Sequence, residues 1–317
     1  LDAFRIDTRS AEFVQLRIER TVGNEAGAKL SGLLKINETD VPFSASWMPE
    51  EDGAKRITMS VDRLTVADLF SRSGVKAGFK FDIDAPFDSD GNPKEAIARL
   101  DVDGLDVPYV KGRTLVKSGE GVLNLRLLPE KNQIELDPSG MRFASSEAEL
   151  VGGLQLPRNA EDAQPPRFEL IANEVAAYGL VNGDKRLRAA MQFSGHWEAA
   201  DKAIVADRIA IKTPVGLMAG DGRLTFAENG PAAKVDLQIG AMPVMQLKQF
   251  WPDFLAPKVR EWISDGVTGG DIKDAVVAIN FPSGLLGKDD LYTEEHLAVS
   301  IPISGSRVIT AGAIPHL

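Results

Sequence analysis

Residues 235–247, VDLQIGAMPVMQL, begin the stretch of sequence that indicates the fold most directly. Val235, Leu237 and Ile239 alternate with polar residues, and the spacing then changes before Met242. The same pattern occurs three more times upstream, at Ile57, Met59, Val61 and Leu64, at Ala98, Leu100, Val102 and Leu105, and at Phe168, Leu170, Ala172 and Val175. Such self-similarity predicts a repeated structural unit, a strand that leads into a bend or a short helix.

Alternation of apolar and polar residues with a period of two also covers most of the chain between these copies. This pattern is typical of strands that bury one face in an antiparallel sheet. Turn residues such as Asp90-Gly91 and Asn229-Gly230 fall at short intervals, which favours hairpins and meanders. Because the copies are unevenly spaced, a tight solenoid with one fixed period is not indicated. The sequence therefore predicts a mainly β fold, an elongated, curved antiparallel sheet built from repeated strand-and-bend units, with a few short helices.

Short glycine-containing steps recur between the copies, around Gly121, Gly152 and Gly220. Glycine relieves steric crowding where a strand bends or bulges, and a long curved sheet needs such points. None of the steps has the G-x-G-x-x-G order or opens a helix, so phosphate binding is not indicated. We expect these glycines to mark bends.

A polar segment at residues 157–166 interrupts the alternation and begins and ends with proline. It predicts a loop or a boundary between N-terminal β-sheet repeats at residues 1–156 and C-terminal repeats at residues 167–317. The C-terminal part contains a helical insert near residues 243–265 that the first copy of the repeat lacks. Pro243 and Pro257 suit first helical positions, and Gly266 suits a C-terminal cap.

Composition excludes several classes of function. The 317 residues carry a formal net charge of −10, and no basic run indicates nucleic acid as a partner. The chain has no cysteine, which excludes disulfides, thiolate nucleophiles and cysteine zinc sites. No apolar run reaches the length of a membrane span, and the chain begins at Leu1 without the features of a signal peptide. We therefore expect a piece of a longer protein whose membrane anchor lies outside this piece.

Histidines and serines give little indication of catalysis. The three histidines, His196, His296 and His316, are far apart and have no partner at a metal-ligand spacing. Ser194-Gly195-His196 brings a serine near a histidine, but it lacks the strained turn of a nucleophile elbow. We expect neither a transition-metal site nor a hydrolase there.

Carboxylates are abundant, and they have two interpretations. An enzyme that cleaves envelope glycans would need two acids in one cleft, and the sequence pairs none in that way. The loop Asp88–Asn92 has oxygen ligands at alternate positions, but its glycine precedes the last ligand, which favours a polar hairpin tip over a calcium loop. We therefore expect no catalytic residue, no metal and no cofactor, and we interpret the carboxylates as a solvated face.

The helical insert carries a resemblance to a known family. Its steps are Leu247-Lys248-Gln249-Phe250-Trp251-Pro252, Leu255-Ala256-Pro257, Arg260-Glu261-Trp262-Ile263 and Gly269-Gly270-Asp271-Ile272. This segment resembles the AsmA-like superfamily of bacterial envelope proteins, and most closely the large YhdP type with its DUF3971-like region. The rest of the chain is similar to that superfamily only through its repeated strands.

The resemblance implies a non-enzymatic lipid-handling module of the Gram-negative cell envelope, whose concave apolar sheet face guides phospholipids between the inner and outer membranes. Members of the superfamily project into the periplasm from an anchor in the inner membrane, and the full-length protein is expected there. Alternation alone fits a closed sandwich core as well as an open groove, and the resemblance favours the open or half-open sheet. Candidate groove residues are Phe79, Phe81, Ile83, Leu123, Leu125, Ile209 and Leu224.

Phe250, Trp251 and Trp262 in the helical insert are expected to be structural anchors that cap or seal the sheet. The expected partners are phospholipids or other acyl-chain lipids, with envelope proteins as further partners. An alternative function is that of an envelope scaffold or interaction protein, which would assist outer-membrane assembly through exposed sheet edges or the insert.

Overall fold

The computed structural model describes residues 4–6, 9–21, 27–36, 39–65, 76–110, 113–143, 146–158, 164–178, 186–227, 230–250, 257–285 and 292–308. Strands account for 74% of these residues, and their long pairings are antiparallel. The described residues contain two α-helices, both short. The predicted mainly β, antiparallel architecture with a few short helices is therefore confirmed. No helix in the described part of the chain combines the length and the apolarity that a membrane span requires.

The chain divides into two compact units. The first consists of Leu1–Pro108 and Thr114–Ala144, and the second of Tyr109–Arg113 and Ser145–Leu317. In the first unit each strand from β1 to β7 pairs with the next one, and β8 pairs with β9. Its strands are β1 (Phe4–Ile6), β2 (Arg9–Thr21), β3 (Gly27–Ile36), β4 (Thr39–Pro49), β5 (Lys55–Thr65), β6 (Lys76–Phe87), β7 (Ala96–Val110), β8 (Arg113–Leu128) and β9 (Gln133–Phe143).

The second unit begins with a meander of six strands in which each strand pairs with the next. These strands are β10 (Ser146–Gln155), β11 (Arg167–Tyr178), β12 (Arg186–Glu198), β13 (Ala203–Thr213), β14 (Gly216–Ala227) and β15 (Gly230–Ile239). An insert follows, made of β16 (Met242–Pro243), α1 (Val244–Phe250), α2 (Pro257–Gly266), β17 (Val267–Thr268) and β18 (Asp271–Ile272).

After the insert, β19 (Ala275–Phe281) pairs with β15, and β20 (Leu297–Ser300) pairs with β19, which extends the meander. The short strands β21 (Ile303–Ser304) and β22 (Arg307–Val308) pair with β18 and β17, and β16 pairs with β18. Helix α2 begins at Pro257 and ends at Gly266, as the sequence predicts.

The spacing change in the repeat corresponds to a β-bulge. In β5 the register against β6 shifts between Val61 and Leu64. In β11 the register against β12 shifts between Ala172 and Val175. In β7 the register against β6 shifts between Asp103 and Asp106, opposite Gly78 and Lys76, beside the same spacing change. In the fourth copy β15 ends at Ile239, and the chain turns into the helical insert. Three copies are therefore bent strands, and the fourth leads into a helix.

Glycines occupy points where neighbouring strands approach each other closely. At Gly32 in β3 an added Cβ would collide with the carbonyl oxygen of Gln15 in β2. The predicted bend glycines Gly121, Gly152 and Gly220 have the same kind of collision with a neighbouring strand, and so does Gly195. A backbone atom that lies in the Cβ direction leaves no room for a side chain, so glycine is required at these points. Each of the three predicted steps therefore has a glycine at a close approach between two strands, and the bends themselves stay a prediction.

We expect Gly32→Ala to lower the free energy of unfolding by roughly 2 kcal/mol or more, because backbone must move to admit the new Cβ. Gly140→Ala in β9 is the matched control, since its Cβ would meet nothing within 4 Å and Gly140 lies in the same unit. The control should change the free energy of unfolding by less than about 0.5 kcal/mol. Urea denaturation of both variants measures the difference, and equal effects would contradict the close approach at Gly32.

Candidate functional site: the apolar sheet faces

One face of the first unit's sheet is lined by apolar side chains in continuous rows. Residues directly opposite each other in antiparallel strands project to the same face, so the strand registers define these rows. We call the following three rows the first apolar face: Gly32, Phe43, Val61, Phe81 and Leu100; Leu30, Ala45, Met59, Ile83 and Ala98; and Ala28, Trp47, Ile57 and Ala85.

The opposite face of the same strands is polar. Ser46 and Thr58 share a hydrogen bond of 2.7 Å between β4 and β5. Arg56 lies between two carboxylates, with Nε 2.6 Å from Glu50 Oε1 and Nη1 3.2 Å from Asp84 Oδ2. The side chains of Arg56, Glu50 and Asp84 are partly exposed to solvent, although Asp84 Oδ1 is buried and has no hydrogen-bond partner among the described residues. The sheet of the first unit is therefore amphipathic.

Five of the predicted groove residues lie in the first unit, and all five are half-buried. Phe79, Phe81 and Ile83 alternate along β6 on the first apolar face. Leu123 and Leu125 alternate along β8, where Leu125 is opposite Leu136 of β9. The other face of this strand pair carries Arg126, which meets Glu135 at 2.7 Å and Asp137 at 2.8 Å.

The second unit has an apolar face of the same design. We call the following three rows the second apolar face: Leu170, Phe193, Ile209, Gly220, Leu237, Val277 and Val299; Ala172, Met191, Ile211, Met218, Ile239 and Ala275; and Trp197, Ile204, Leu224, Ala233 and Phe281. The two remaining groove candidates, Ile209 and Leu224, lie in the first and third of these rows and are half-buried.

Burial of the large side chains bears on whether the first apolar face forms a closed core. Trp47 is 38% exposed, and Ile57 and Met59 are each 36% exposed, although all three lie in its rows. The buried residues of this face are the small Ala98 and the larger Phe43. A sealed two-sheet core would bury its largest side chains most completely. In the first unit these large side chains instead remain accessible to solvent.

The second apolar face is covered along one side by the helical insert. Val244 and Leu247 of α1 and Ile263 of α2 are buried in one cluster with Met218 and Ile239. The cluster also includes Met242, Val267, Ile272, Ala275, Val277, Phe281 and Leu297. The opposite side of this face is more open, because Ile204 and Phe226 stay 36% and 47% exposed. The second apolar face therefore has one sealed side and one open side.

The anchor residues predicted in the insert fall largely outside the described structure. Trp251 lies outside the described residues, and Phe250 and Trp262 are placed on α1 and α2 without a description of their side chains. The buried contacts that the structure does describe come from aliphatic residues, above all Val244 and Leu247. The sealing role of the two tryptophans stays a prediction.

Lys248 in α1 is a buried residue that the sequence analysis missed. It is only 4% exposed, and its Nζ donates hydrogen bonds to the carbonyl oxygen of Ser264 at 2.9 Å and to that of Val267. Ser264 lies in the last turn of α2 and Val267 directly follows the helix, where a cation is favourable. Burial lowers the pKa of Lys248, and the nearby Asp265 opposes this shift. The sequence feature that could have predicted its burial is its position beside the apolar stripe of α1, one residue after Leu247 and four residues after Val244.

His196 belongs to an ion network on the polar face of the second unit. Its Nδ1 lies 3.3 Å from Asp207 Oδ2, and its Nε2 lies 3.3 Å from Glu198 Oε1. Arg223 Nη2 contacts Glu198 at 2.7 Å and Asp201 at 2.6 Å, and its hydrogen bond lowers the pKa of Glu198. Because carboxylates engage both ring nitrogens, the imidazole has a structural partner on each side.

The loop predicted as a polar hairpin tip connects β6 and β7. Asn92 donates from its backbone N to Asp88 Oδ1 at 2.8 Å and from Nδ2 to Asp88 Oδ2 at 3.0 Å. The side-chain hydrogen bond from Asn92 lowers the pKa of Asp88. Both carboxylate oxygens of Asp88 therefore accept hydrogen bonds within the turn. Among the described residues no group of three or more histidine, aspartate or glutamate side chains could hold a metal ion.

Comparisons of this chain with protein-family models, with curated proteins and with solved structures found no match.

Leu297→Ala and Leu224→Ala test how differently the two sides of the second apolar face are covered. Leu297 is fully buried in the cluster, so its truncation should lower the free energy of unfolding by about 3 kcal/mol. Leu224 is half-buried on the open side, so the same truncation should lower it by only about 1 kcal/mol. Denaturant unfolding measures both values. An equally large loss at Leu224 would indicate that this side is also sealed.

Lys248→Met tests the buried amine. Because the pKa of Lys248 is lowered from 10.5 in the folded state, the unfolded chain binds more protons at this residue as the pH nears 10.5 from below. The free energy of unfolding of the parent relative to Lys248→Met should therefore rise as the pH approaches 10.5 from below. Denaturant unfolding across this range checks the slope. Parallel pH curves for the two proteins would mean that the folded state does not perturb Lys248.

Proposed function

We propose that this chain is a non-enzymatic lipid-handling module of the Gram-negative cell envelope, whose apolar sheet faces guide phospholipid acyl chains between the inner and outer membranes. The observation that carries this proposal is the exposure of Trp47, Ile57 and Met59 within continuous apolar rows. Contiguous exposed apolar surface on a folded protein marks a site of interaction.

The chemistry of the first apolar face suits an alkyl chain. Its rows contain aliphatic, aromatic and glycine residues and no charged side chain. Backbone N–H and C=O groups of the paired strands already bond to each other, so the face offers few hydrogen bonds to a polar ligand. An acyl chain needs none, and it gains roughly 0.8 kcal/mol for each methylene that it buries.

The location and partners of the module follow from the resemblance of the helical insert to AsmA-like envelope proteins. We propose that the chain works in the periplasm and that the full-length protein is tethered to the inner membrane by an anchor outside this chain. Phospholipids or other acyl-chain lipids are the proposed ligands, and envelope proteins are proposed as further partners. The polar outer faces, with ion pairs such as Arg126–Glu135, suit a water-filled compartment.

Two exposed apolar residues on different faces provide a matched test of the lipid site. Met59 lies on the first apolar face, whereas Val276 of β19 lies on the face opposite the second apolar face and is 47% exposed. We expect Met59→Glu to lower the amount of co-purifying phospholipid roughly tenfold, because a carboxylate would have to lose water against the acyl chain. Val276→Glu introduces the same charge outside both apolar faces and should leave that amount unchanged. Native mass spectrometry of the protein purified from a Gram-negative host, followed by lipid extraction, measures both.

Equal lipid content in the two variants, both folded by circular dichroism, would place the lipid elsewhere and contradict the proposed site. A parent protein that carries no phospholipid and takes up none from labelled vesicles would contradict the proposed function. The envelope scaffold would then be the better explanation of the exposed apolar rows.

A further inference from the structure

Two β-hairpin ends combine a tryptophan–isoleucine pair with a neighbouring arginine. In the first unit Trp47 of β4 is directly opposite Ile57 of β5, close to the turn that joins these strands. In the second unit Trp197 of β12 is directly opposite Ile204 of β13, again close to the connecting turn. Both pairs lie on the apolar face of their unit. The aromatic surface in the second unit continues to Phe226, whose ring centroid lies 6.2 Å from that of Trp197.

An arginine held by two carboxylates lies on the opposite face next to each pair. Arg56 precedes Ile57 in the sequence and contacts Glu50 and Asp84. Arg223 precedes Leu224, which is directly opposite Ile204, and it contacts Glu198 and Asp201. We call these two groups the first rim (Trp47, Ile57, Arg56, Glu50 and Asp84) and the second rim (Trp197, Ile204, Arg223, Glu198 and Asp201).

The arginines retain hydrogen-bonding capacity beyond these ion pairs. A guanidinium has five N–H donors in a planar fork that matches a phosphate group. Arg223 reaches both carboxylates through Nη2, and Arg56 uses Nε and Nη1. Each guanidinium therefore keeps N–H donors that have no partner among the described residues. A phosphate oxygen could accept from these donors without displacing either carboxylate.

The charges at each rim complement a headgroup that carries both signs. The arginine suits a phosphate, and the paired carboxylates suit an ammonium group whose nitrogen is about three bonds beyond the phosphate ester oxygen. A headgroup with net negative charge would meet two carboxylates at the rim and a chain whose net charge is −10. The rims therefore favour a zwitterionic headgroup over an anionic one.

Tryptophan suits the boundary between the acyl chains and this headgroup, because its ring is apolar and its indole N–H is polar. At a hairpin end the two faces of the sheet meet across a single turn, so one lipid can contact both. We propose that each rim binds one phospholipid with a zwitterionic headgroup, with its acyl chains against the tryptophan–isoleucine pair and its phosphate at the arginine. This inference rests on the proposed lipid-handling function and assigns the orientation and headgroup class of the ligand.

Tryptophan fluorescence with brominated lipid tests the placement of the acyl chains. The probe is a vesicle of phosphatidylcholine that carries bromine on its acyl chains, mixed with the full chain. We expect the bromine to quench the emission of the parent. In the double variant Trp47→Phe with Trp197→Phe, the fraction of the remaining emission that is quenched should fall to near zero. An undiminished fraction would show that the acyl chains contact other parts of the protein.

Arginine variants test the headgroup. The double variant Arg56→Gln with Arg223→Gln should raise the lipid concentration needed for half-maximal quenching roughly fivefold. Arg142→Gln with Arg188→Gln is the matched control, because these exposed arginines also pair with glutamates, Glu120 and Glu174, and the net charge changes equally. The control should leave the concentration unchanged. Equal shifts in both double variants would show a general charge effect and overturn the assignment of the phosphate.

Vesicles of brominated phosphatidylglycerol, an anionic lipid, test the headgroup class. Quenching equal to or stronger than that with phosphatidylcholine would overturn the zwitterionic assignment.

Native mass spectrometry of the Met59→Glu variant distinguishes a failure of the rims from a failure of the proposed lipid-handling function. If Met59→Glu lowers phospholipid binding while the rim variants bind like the parent, the assignment of the rims as headgroup sites is wrong and the lipid-handling function stands. If the tryptophan variants fail to fold by circular dichroism, the arginine variants decide the proposal.

Discussion

Every feature of both units depends on antiparallel pairing of successive strands in a register that keeps apolar residues on one face. The sequence has a spacing of three residues in the repeat, as from Val61 to Leu64, and in a regular strand this would turn Leu64 to the polar face. The pairing partners are Phe81 and Phe79, which are only two residues apart. A bulge in β5 therefore absorbs the extra residue, and Leu64 returns to the apolar face. Strand β11 does the same from Ala172 to Val175 opposite Met191 and Ala189.

The sequence could predict features that depend on neighbours along the chain, because periodicity and turn chemistry are local. The strands, the glycine steps at Gly152 and Gly220 and the limits of α2 were predicted for this reason. Gly32 and Gly195 escaped prediction, since each is a single glycine whose need arises from a neighbouring strand. The exposure of the apolar faces could not be predicted from the sequence either. Alternation has the same appearance in a sealed core and in an open face, and only the tertiary structure distinguishes Ile57 from Leu297.

Hydrophobic burial is unevenly distributed along the second unit, and this has a consequence for the site. The cluster around Val244, Ile272 and Leu297 is fully buried, whereas large side chains farther from the insert, such as Phe193 and Ile209, are half-buried. Burial of apolar area supplies most of the stability of a fold, so the insert and its underlying strands carry a large share of it. The half-buried side chains contribute less per residue. Substitutions of these residues are expected to have a smaller effect on folding, so stability and the proposed lipid binding can be measured separately.

The exposed rows lack groups that can form hydrogen bonds with a ligand, and this property favours some classes of ligand over others. A ligand that covers them must leave water, and each polar group that it brings to the contact loses hydrogen bonds which the face cannot replace. Peptide segments carry a donor and an acceptor in every residue, and they satisfy them only as helices or by pairing at a strand edge. The rows that include Phe81 and Met59 lie within the sheet, between paired neighbours on both sides. An alkyl chain brings no polar group to such a surface, so among common ligands it pays the smallest desolvation penalty for the area that it covers.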